Sequence, residues 1–384
     1  MKVITTEKKP IKMWLNDIED VALEQAKNLA NLPFIHKHVA IMPDSHLGYG
    51  MPIGGVIACE KVIIPNAVGV DIGCGMCSLK TNLFEITLEQ LKLIRTIIRK
   101  KIPLGFKHHE NAQDEILMPN IPYGKIPVID KQYKNALYQL GTLGGGNHFI
   151  EIQKGSDGYI WIMIHSGSRN IGKQVADYHN TTAKNLNADY FSSVPPSWDL
   201  AFLPFNSKAG QIYFTEMNFC ISFALANREL ILKRVKESMG EIIPGIEFSK
   251  YINIPHNYAA RENHYGKNVI VHRKGATRAI KGEIGIIPGS QGTHSYITEG
   301  LGNPLSFCSC SHGAGRKMSR TAAKKNLSLY EEQEKMENIV NGIEGINNLD
   351  EAPGAYKDID IVMKNQSDLV KPLIEMTPLM VIKG

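Results

Sequence analysis

An α+β fold, with mixed β-sheets flanked by helices in one domain spanning residues 1–384, is what the sequence predicts, and three observations predict it. Helical periodicity and short β-branched runs alternate irregularly, without the strand–helix repeat of a doubly wound sheet. No fixed-period repeat, Ser/Gly linker or block of like charge divides the chain. The composition, 43% hydrophobic and 21% charged over 384 residues, is that of a globular protein with a sizeable core, which excludes disorder and low-complexity scaffolds.

The elements follow in chain order. Asn16 or Asp17 is placed to cap a helix in which Ile18, Val21, Ala22, Ala26 and Leu29 share a face. Thr87 and Gln90 form a capping box before Leu91, Ile94 and Ile98, while Lys92, Arg95 and Arg99 opposite them read as a solvated face. A longer helical pattern runs from Thr215 to Ser238 through Met217, Cys220, Ile221, Ala224 and Leu225, with Gly240 as its stop. Residues 316–325 read as helix-like, and Ser328 with Glu331 makes a second capping box. The β-like runs are His38–Met42, Ile53–Ala58, Cys77–Thr81, His148–Gln153, Tyr159–His165, Val269–His272 and Ile284–Ile287. Between them lie loops rich in Gly, Pro and His, where sites usually sit.

No apolar run reaches the ~18–20 residues of a membrane span. The N-terminus carries no secretory pattern, so a cytoplasmic protein is expected. Six cysteines are too sparse for a disulfide scaffold, which leaves any conspicuous one buried, metal-bound or reactive. A formal charge of +5 is compatible with a polyanionic partner and far below the density of a non-specific nucleic-acid binder.

Unusual residues gather in the loops. Asp71-Ile-Gly-Cys74-Gly-Met-Cys77 sets a carboxylate and a thiol three residues apart among glycines, so that both can face one ion. The same cysteines could instead be a buried pair, a redox Cys-x-x-Cys, or half of a zinc site completed by Cys308 and Cys310. By softness alone, thiolate with imidazole favours zinc over manganese. Histidines stand beside small or polar residues at strand ends, at His46, His148, His165, His256 and His312. Gly141–His148 has the wrong glycine order for a dinucleotide loop and leads into a strand, and no Walker A pattern occurs. Phosphate binding would therefore use backbone nests such as Pro288–Gly292 and His312–Arg316, the second favoured by the dipole of the helix-like stretch after it. Basic residues including Arg169, Arg273, Arg278, Arg316 and Arg320 follow the same loops and suit a polyanion.

Seven motifs occur in order: Asp71-Ile-Gly-Cys74-Gly-Met, Gly145-Gly-Asn147-His148-Phe-Ile-Glu151, His165-Ser-Gly-Ser-Arg169, His256-Asn257, His272-Arg-Lys-Gly-Ala, Ile287-Pro-Gly-Ser290 and Ser311-His312-Gly-Ala-Gly-Arg316. In them the chain resembles the RtcB family of RNA ligases from Lys12 to Gly384. The resemblance implies joining of an RNA 3′-phosphate or 2′,3′-cyclic phosphate end to a 5′-hydroxyl end with GTP and two Mn2+ ions, in RNA repair or tRNA splicing. It implies that His312 carries the guanylate, that Asp71, Cys74 and His148 hold one ion, and that Cys74, His165 and His256 hold the other. Asn147, Glu151, Ser290, Ser295, Tyr356 and Lys383 would hold the guanylate together with His312, Tyr356 by stacking and Lys383 at the base edge. Arg169 and Arg316 would meet phosphates, and Asp44 and His46 would stand behind the ligands. Ser45 and Gln291 depart from the commoner valine and methionine and remove none of these groups. The resemblance leaves an accessory activator open. A dinuclear metal phosphoesterase and a non-catalytic RNA-binding protein are the rival readings.

Overall fold

The computed structural model describes residues 1–121, 124 and 126–384. Its core is organised by two large sheets. The first runs, in spatial order, Lys2–Ile4, Ile11–Met13, Ile35–His46, Ile53–Cys59, Lys267–Lys274, Asn257–His264. Its pairings are antiparallel except that of Ile11–Met13 with Ile35–His46. The second runs Phe248–Pro255, Gly75–Thr81, Ile160–Ser166, Phe149–Gly155, Val370–Lys383, Ser295–Gly300, Ile284–Ile287, antiparallel throughout. With helices packed against these sheets, the α+β expectation matches the architecture.

The Ile160–Ser166 strand shows why the second sheet is central, because every residue in it is buried. Ile160, Ile162 and Ile164 point to one face and pack with Leu91, Ile94 and Ile98 of the Leu88–Lys101 helix and with Ile231, Val235 and Met239 of the Lys208–Ile242 helix. Trp161 and Met163 point to the other face, among Ile286, Ile297 and Met376. A strand covered on both faces reads as a continuous apolar run.

Several element boundaries differ from the sequence reading. The first helix is Asp20–Ala30 with Glu19 as its N-cap, not Asn16 or Asp17; Asp20 meets the positive end of the helix, and Val21 faces solvent. The capping box of Thr87 and Gln90 is present. The long helix extends to Lys208–Ile242 and passes through Gly240, because a helical glycine costs only about 1 kcal/mol and the buried Val235 and Met239 hold that turn. Residues 316–319 stay outside the helix, since the backbone of Arg316 bridges to Tyr356 and Lys317 donates to the Ala355 carbonyl. The helix there is Arg320–Asn326, capped by Ser319, so its N-terminus does not stand beside His312. The Val370–Lys383 strand, unread in the sequence, contains Pro372 and Pro378, and Pro378 falls at a register shift where the ladder does not need its missing N–H.

Asn227 and Arg228, buried and adjacent on the long helix, tie its middle to the loops at one end of the second sheet. Asn227 accepts from the Gly141 N–H at 2.7 Å and donates to Ser166 Oγ at 3.0 Å and to the carbonyls of Thr142 and Gly167, both at 3.2 Å. Arg228 donates to the carbonyls of Gly73 at 3.0 Å and Ser166 at 2.8 Å, and to Asn253 Oδ1 at 2.7 Å. Asn227→Ala strands the buried Gly141 N–H, so a loss of roughly 1–3 kcal/mol of stability is expected; thermal unfolding within 1 °C of wild type would contradict it.

Candidate metal and nucleotide site

Antiparallel order sets the start of one strand beside the end of the next, and this brings four sequence-distant groups to one edge of the second sheet. Cys74 precedes the Gly75–Thr81 strand, His148 precedes Phe149–Gly155, His165 lies near the end of Ile160–Ser166, and His256 follows Phe248–Pro255. Cys74 Sγ lies 3.4 Å from His148 Nε2 and 3.2 Å from His165 Nε2. His256 Nε2 is 3.3 Å from His165 Nε2, and Asp71 Oδ2 is 3.0 Å from His148 Nε2. Gly167 makes room for that carboxylate, because a Cβ there would sit 2.2 Å from Asp71 Oδ1.

The hydrogen bonds behind the rings decide what they offer. His148 Nδ1 donates to the Leu143 carbonyl at 3.0 Å and His165 Nδ1 to the Asn147 carbonyl at 3.1 Å. Both Nε2 atoms then present lone pairs to the thiol, the tautomer that a metal-binding histidine takes. Cys74, His148 and His165 offer ligand atoms within 4.8 Å of one another. Burial pushes the Cys74 thiol well above its usual range, the Asp71 charge adds to this, and Arg228 opposes it. Burial also holds His165 and His256 well below the ordinary imidazole value, with neighbouring imidazoles reinforcing it. Three imidazoles, a thiol and a carboxylate crowded at their ligand atoms form a donor set suited to a divalent transition metal. The residues present therefore fit a metal. Cys77, in contrast, is buried in the helix-facing cluster and Cys310 in another, against the redox pair and the four-cysteine zinc site.

His312 arrives from a separate two-stranded sheet. It follows Ser309–Ser311, a short strand paired with Ala276–Arg278. Its Nδ1 donates to Asp44 Oδ2 at 2.7 Å, and the same oxygen accepts its backbone N–H at 3.1 Å. Nε2 is thereby left as the ring's free lone pair, and the His312 and His256 ring centroids are 4.8 Å apart. Gly275, at φ +58°, keeps this space open, since a Cβ would approach the His312 ring to 3.2 Å. Asp44 thus grips His312 directly instead of standing behind metal ligands, and His46 bonds the Asp44 carbonyl at 3.0 Å.

His165 and His312 border a cleft of about 690 Å³, whose walls also carry Asn147, Glu151, Ser290, Arg316, Tyr356 and Lys383. Glu151 is buried and accepts from Gln153 Nε2 at 2.6 Å; burial pushes its carboxyl up to about 8. Ser295 lies beneath the wall, accepting from Gly289 N and Gln153 Nε2, both at 3.2 Å. Arg169 stands apart from the cleft lining and donates to Thr142 Oγ1 and the Gly105 carbonyl. Glu351, which carries no signal in the sequence, takes Arg316, Arg320 and Lys383, each at 3.1 Å, and the Tyr356 hydroxyl. Arg316 also lies 5.2 Å over the Tyr356 ring. No local pattern marks Glu351, Asn227 or Arg228; each matters through partners remote in sequence. Gln291 is buried and donates to the Glu351 carbonyl at 2.6 Å, whereas Ser45 is buried with its hydroxyl unpartnered among the described residues.

The sequence profile of the family described as tRNA-splicing ligase RtcB matches residues 25–123 and 121–384. The chain belongs to the RtcB family. It is 40% identical to the RNA-splicing ligase RtcB of Escherichia coli K12, covering 100% of this chain and 99% of that protein. It is 34% identical to the tRNA-splicing ligase RtcB of Thermococcus kodakarensis, over 95% of this chain and 92% of that protein, and 34% identical to that of Nanoarchaeum equitans, over 98% and 95%. As an RtcB-family RNA ligase the chain is an enzyme. No helix among the described residues is long and apolar enough to cross a membrane.

Two outcomes test this site. Because the Cys74 thiol is held protonated, a cation must displace its proton, so affinity for Co2+ should rise about tenfold per pH unit between pH 6 and 8, with a thiolate-to-metal absorption band that Cys74→Ser abolishes. A pH-independent affinity or a surviving band removes Cys74 from the ligand set. For Glu151, a folded value near 8 against 4.5 unfolded gives stability that is complete below the unfolded value and is lost as pH rises towards 8, at about 1.4 kcal/mol per unit. Glu151→Gln should therefore gain stability relative to wild type as pH climbs from 5 to 8 in denaturant titrations; parallel curves would contradict this.

Proposed function

We propose that this chain is a GTP- and Mn2+-dependent RNA ligase, acting as one domain over residues 1–384, that joins RNA 3′-phosphate or 2′,3′-cyclic phosphate ends to 5′-hydroxyl ends through a histidine–GMP intermediate. The observation that carries the reading is His312, held through Nδ1 by Asp44 so that Nε2 is free at the cleft, beside the imidazoles of the ligand cluster.

In the first transfer, Nε2 of His312 bonds to the α-phosphorus of GTP while the bond to the bridging oxygen breaks and pyrophosphate leaves. Asp44 keeps the Nδ1 proton in place and stabilises the positive charge that the ring acquires. An oxygen of the RNA 3′-phosphate next takes the guanylyl group and returns the lone pair to Nε2. The 5′-hydroxyl oxygen then bonds to the 3′-phosphorus, GMP departs and the hydroxyl proton is released; a cyclic end is first opened by water.

Asp71, Cys74 and His148 would hold one Mn2+ and Cys74, His165 and His256 the second, which when bound supply Lewis-acid neutralisation of phosphate charge. Asn147, Glu151, Ser290, Ser295, Tyr356 and Lys383 would seat the guanylate. Glu151, protonated near neutral pH, can donate a hydrogen bond to it, Tyr356 offers a ring face, and Lys383 reaches the base edge. Arg169 and Arg316 would meet phosphates, the polyanion being the spliced or repaired RNA.

Incubation with GTP and Mn2+ should add the mass of GMP to the protein, with the adduct mapping to His312 and absent from His312→Ala. Asp44→Asn, which loses the tautomer lock, should slow the adduct by about 10²–10⁴-fold. An unmodified mass under conditions that release phosphate would favour the metal phosphoesterase instead.

A further inference from the structure

A second cavity, of about 360 Å³, adjoins the cleft, and Gln291, Glu351 and Lys383 line both. Its other side is built from Arg95 and Arg99, one turn apart on the Leu88–Lys101 helix, with Glu344, Asn347 and Asn348 at the exposed rim. The sequence pattern places these arginines on a solvated helix face, but the structure does otherwise with Arg95. Its guanidinium lies against Gly342, where a Cβ would come within 3.1 Å, and its Nε is buried with no partner among the described residues.

The charge balance of the cavity favours an anion. Glu351 is engaged by Arg316, Arg320 and Lys383, and Asp350 faces Lys324 at 3.7 Å. Of the carboxylate side chains lining the cavity among the described residues, only exposed Glu344 is left to offset two guanidinium groups, with the Gly384 carboxylate also at the lining. Burial and then the Arg99 charge weigh against the Arg95 cation, a cost that an entering anion would relieve. The volume is within the range of small-molecule pockets, roughly 300–1,000 Å³, and the mouth carries side-chain amides for sugar or base contacts.

We infer that this cavity is a phosphodiester subsite for the substrate RNA, in which Arg95 and Arg99 contact the backbone of the strand whose end lies in the adjoining cleft. This rests on the ligase reading above and extends it away from the reacting atoms. Phosphate contacts of this kind position a strand without reading its sequence.

The test is fluorescence anisotropy with two labelled single-stranded RNAs bearing 3′-phosphates, one a dinucleotide confined to the cleft and one long enough to fill both cavities. For Arg95→Met with Arg99→Met, the dissociation constant of the long RNA should rise about 10-fold and that of the dinucleotide should not move. The log–log salt slope should shrink by about 0.7 for each phosphate that the variant no longer neutralises. Arg95→Lys should recover part of the affinity, and GMP adduct formation should match wild type. Unchanged long-RNA affinity and slope, or equal weakening for both RNAs, overturns the subsite. Should the double variant unfold, Arg99→Met alone, at an exposed position, must still weaken long RNA about 3-fold. If wild type forms no adduct, the ligase reading fails, while the two binding comparisons still decide the subsite.

Discussion

Everything at the metal end of this fold hangs on one dipeptide of a buried helix. Asn227 and Arg228 hold Gly73, Gly141, Thr142, Ser166, Gly167 and Asn253 by hydrogen bonds. These positions lie in the segments that carry Cys74, His148, His165 and His256. Loops cannot hold ligands to tenths of an ångström unaided, and packing against a helix whose own ladder is complete transfers its rigidity to them. The buried guanidinium does a second task, since its charge favours the thiolate form of Cys74.

The site divides its labour between two sheets. One supplies the soft, lone-pair-rich cluster, with tautomers set by the carbonyls of Leu143 and Asn147. The other supplies Asp44, which holds His312 at the end of the separate two-stranded sheet by a hydrogen bond to its ring. A carboxylate meets an imidazole in both places to different effect: Asp44 stands behind the ring that would react, whereas Asp71 sits at Nε2 of His148, on the side that would coordinate. Further along the cleft, one buried carboxylate, Glu351, organises three cationic side chains and a tyrosine, so that wall is pre-arranged as well.

Much of this is legible in the chain. Ile53–Cys59, Ile160–Ser166 and Ile284–Ile287 show in their β-branched runs, and Thr87 with Gln90 announces a helix whose cap is present. The histidines and Cys74 stand out because glycines and strand ends surround them, and ordered motifs tie them to a family. What escapes is set by tertiary context. The prolines of Val370–Lys383 hide a central strand, since only the bulge in its ladder tells that an N–H is not needed. Gly240 looks like a stop until the packing of Val235 and Met239 outweighs its small helical cost. Arg95 looks solvated because nothing local announces Gly342. Glu351 and Arg228 bond to partners far away in the sequence, and no window of neighbouring residues contains that information.

His256 is the hinge pin between the halves. The chain leaves the second sheet at Pro255 and enters the first at Asn257, while the His256 amide bonds the Cys74 carbonyl at 2.8 Å and its carbonyl accepts from Ala276 at 3.2 Å. Backbone hydrogen bonds on both sides of this one residue thus couple the Cys74 cluster to the strand that pairs with Ser309–Ser311, next to His312. A shift of either wall at this point would have to break those two backbone hydrogen bonds as well as move His256 away from its partners.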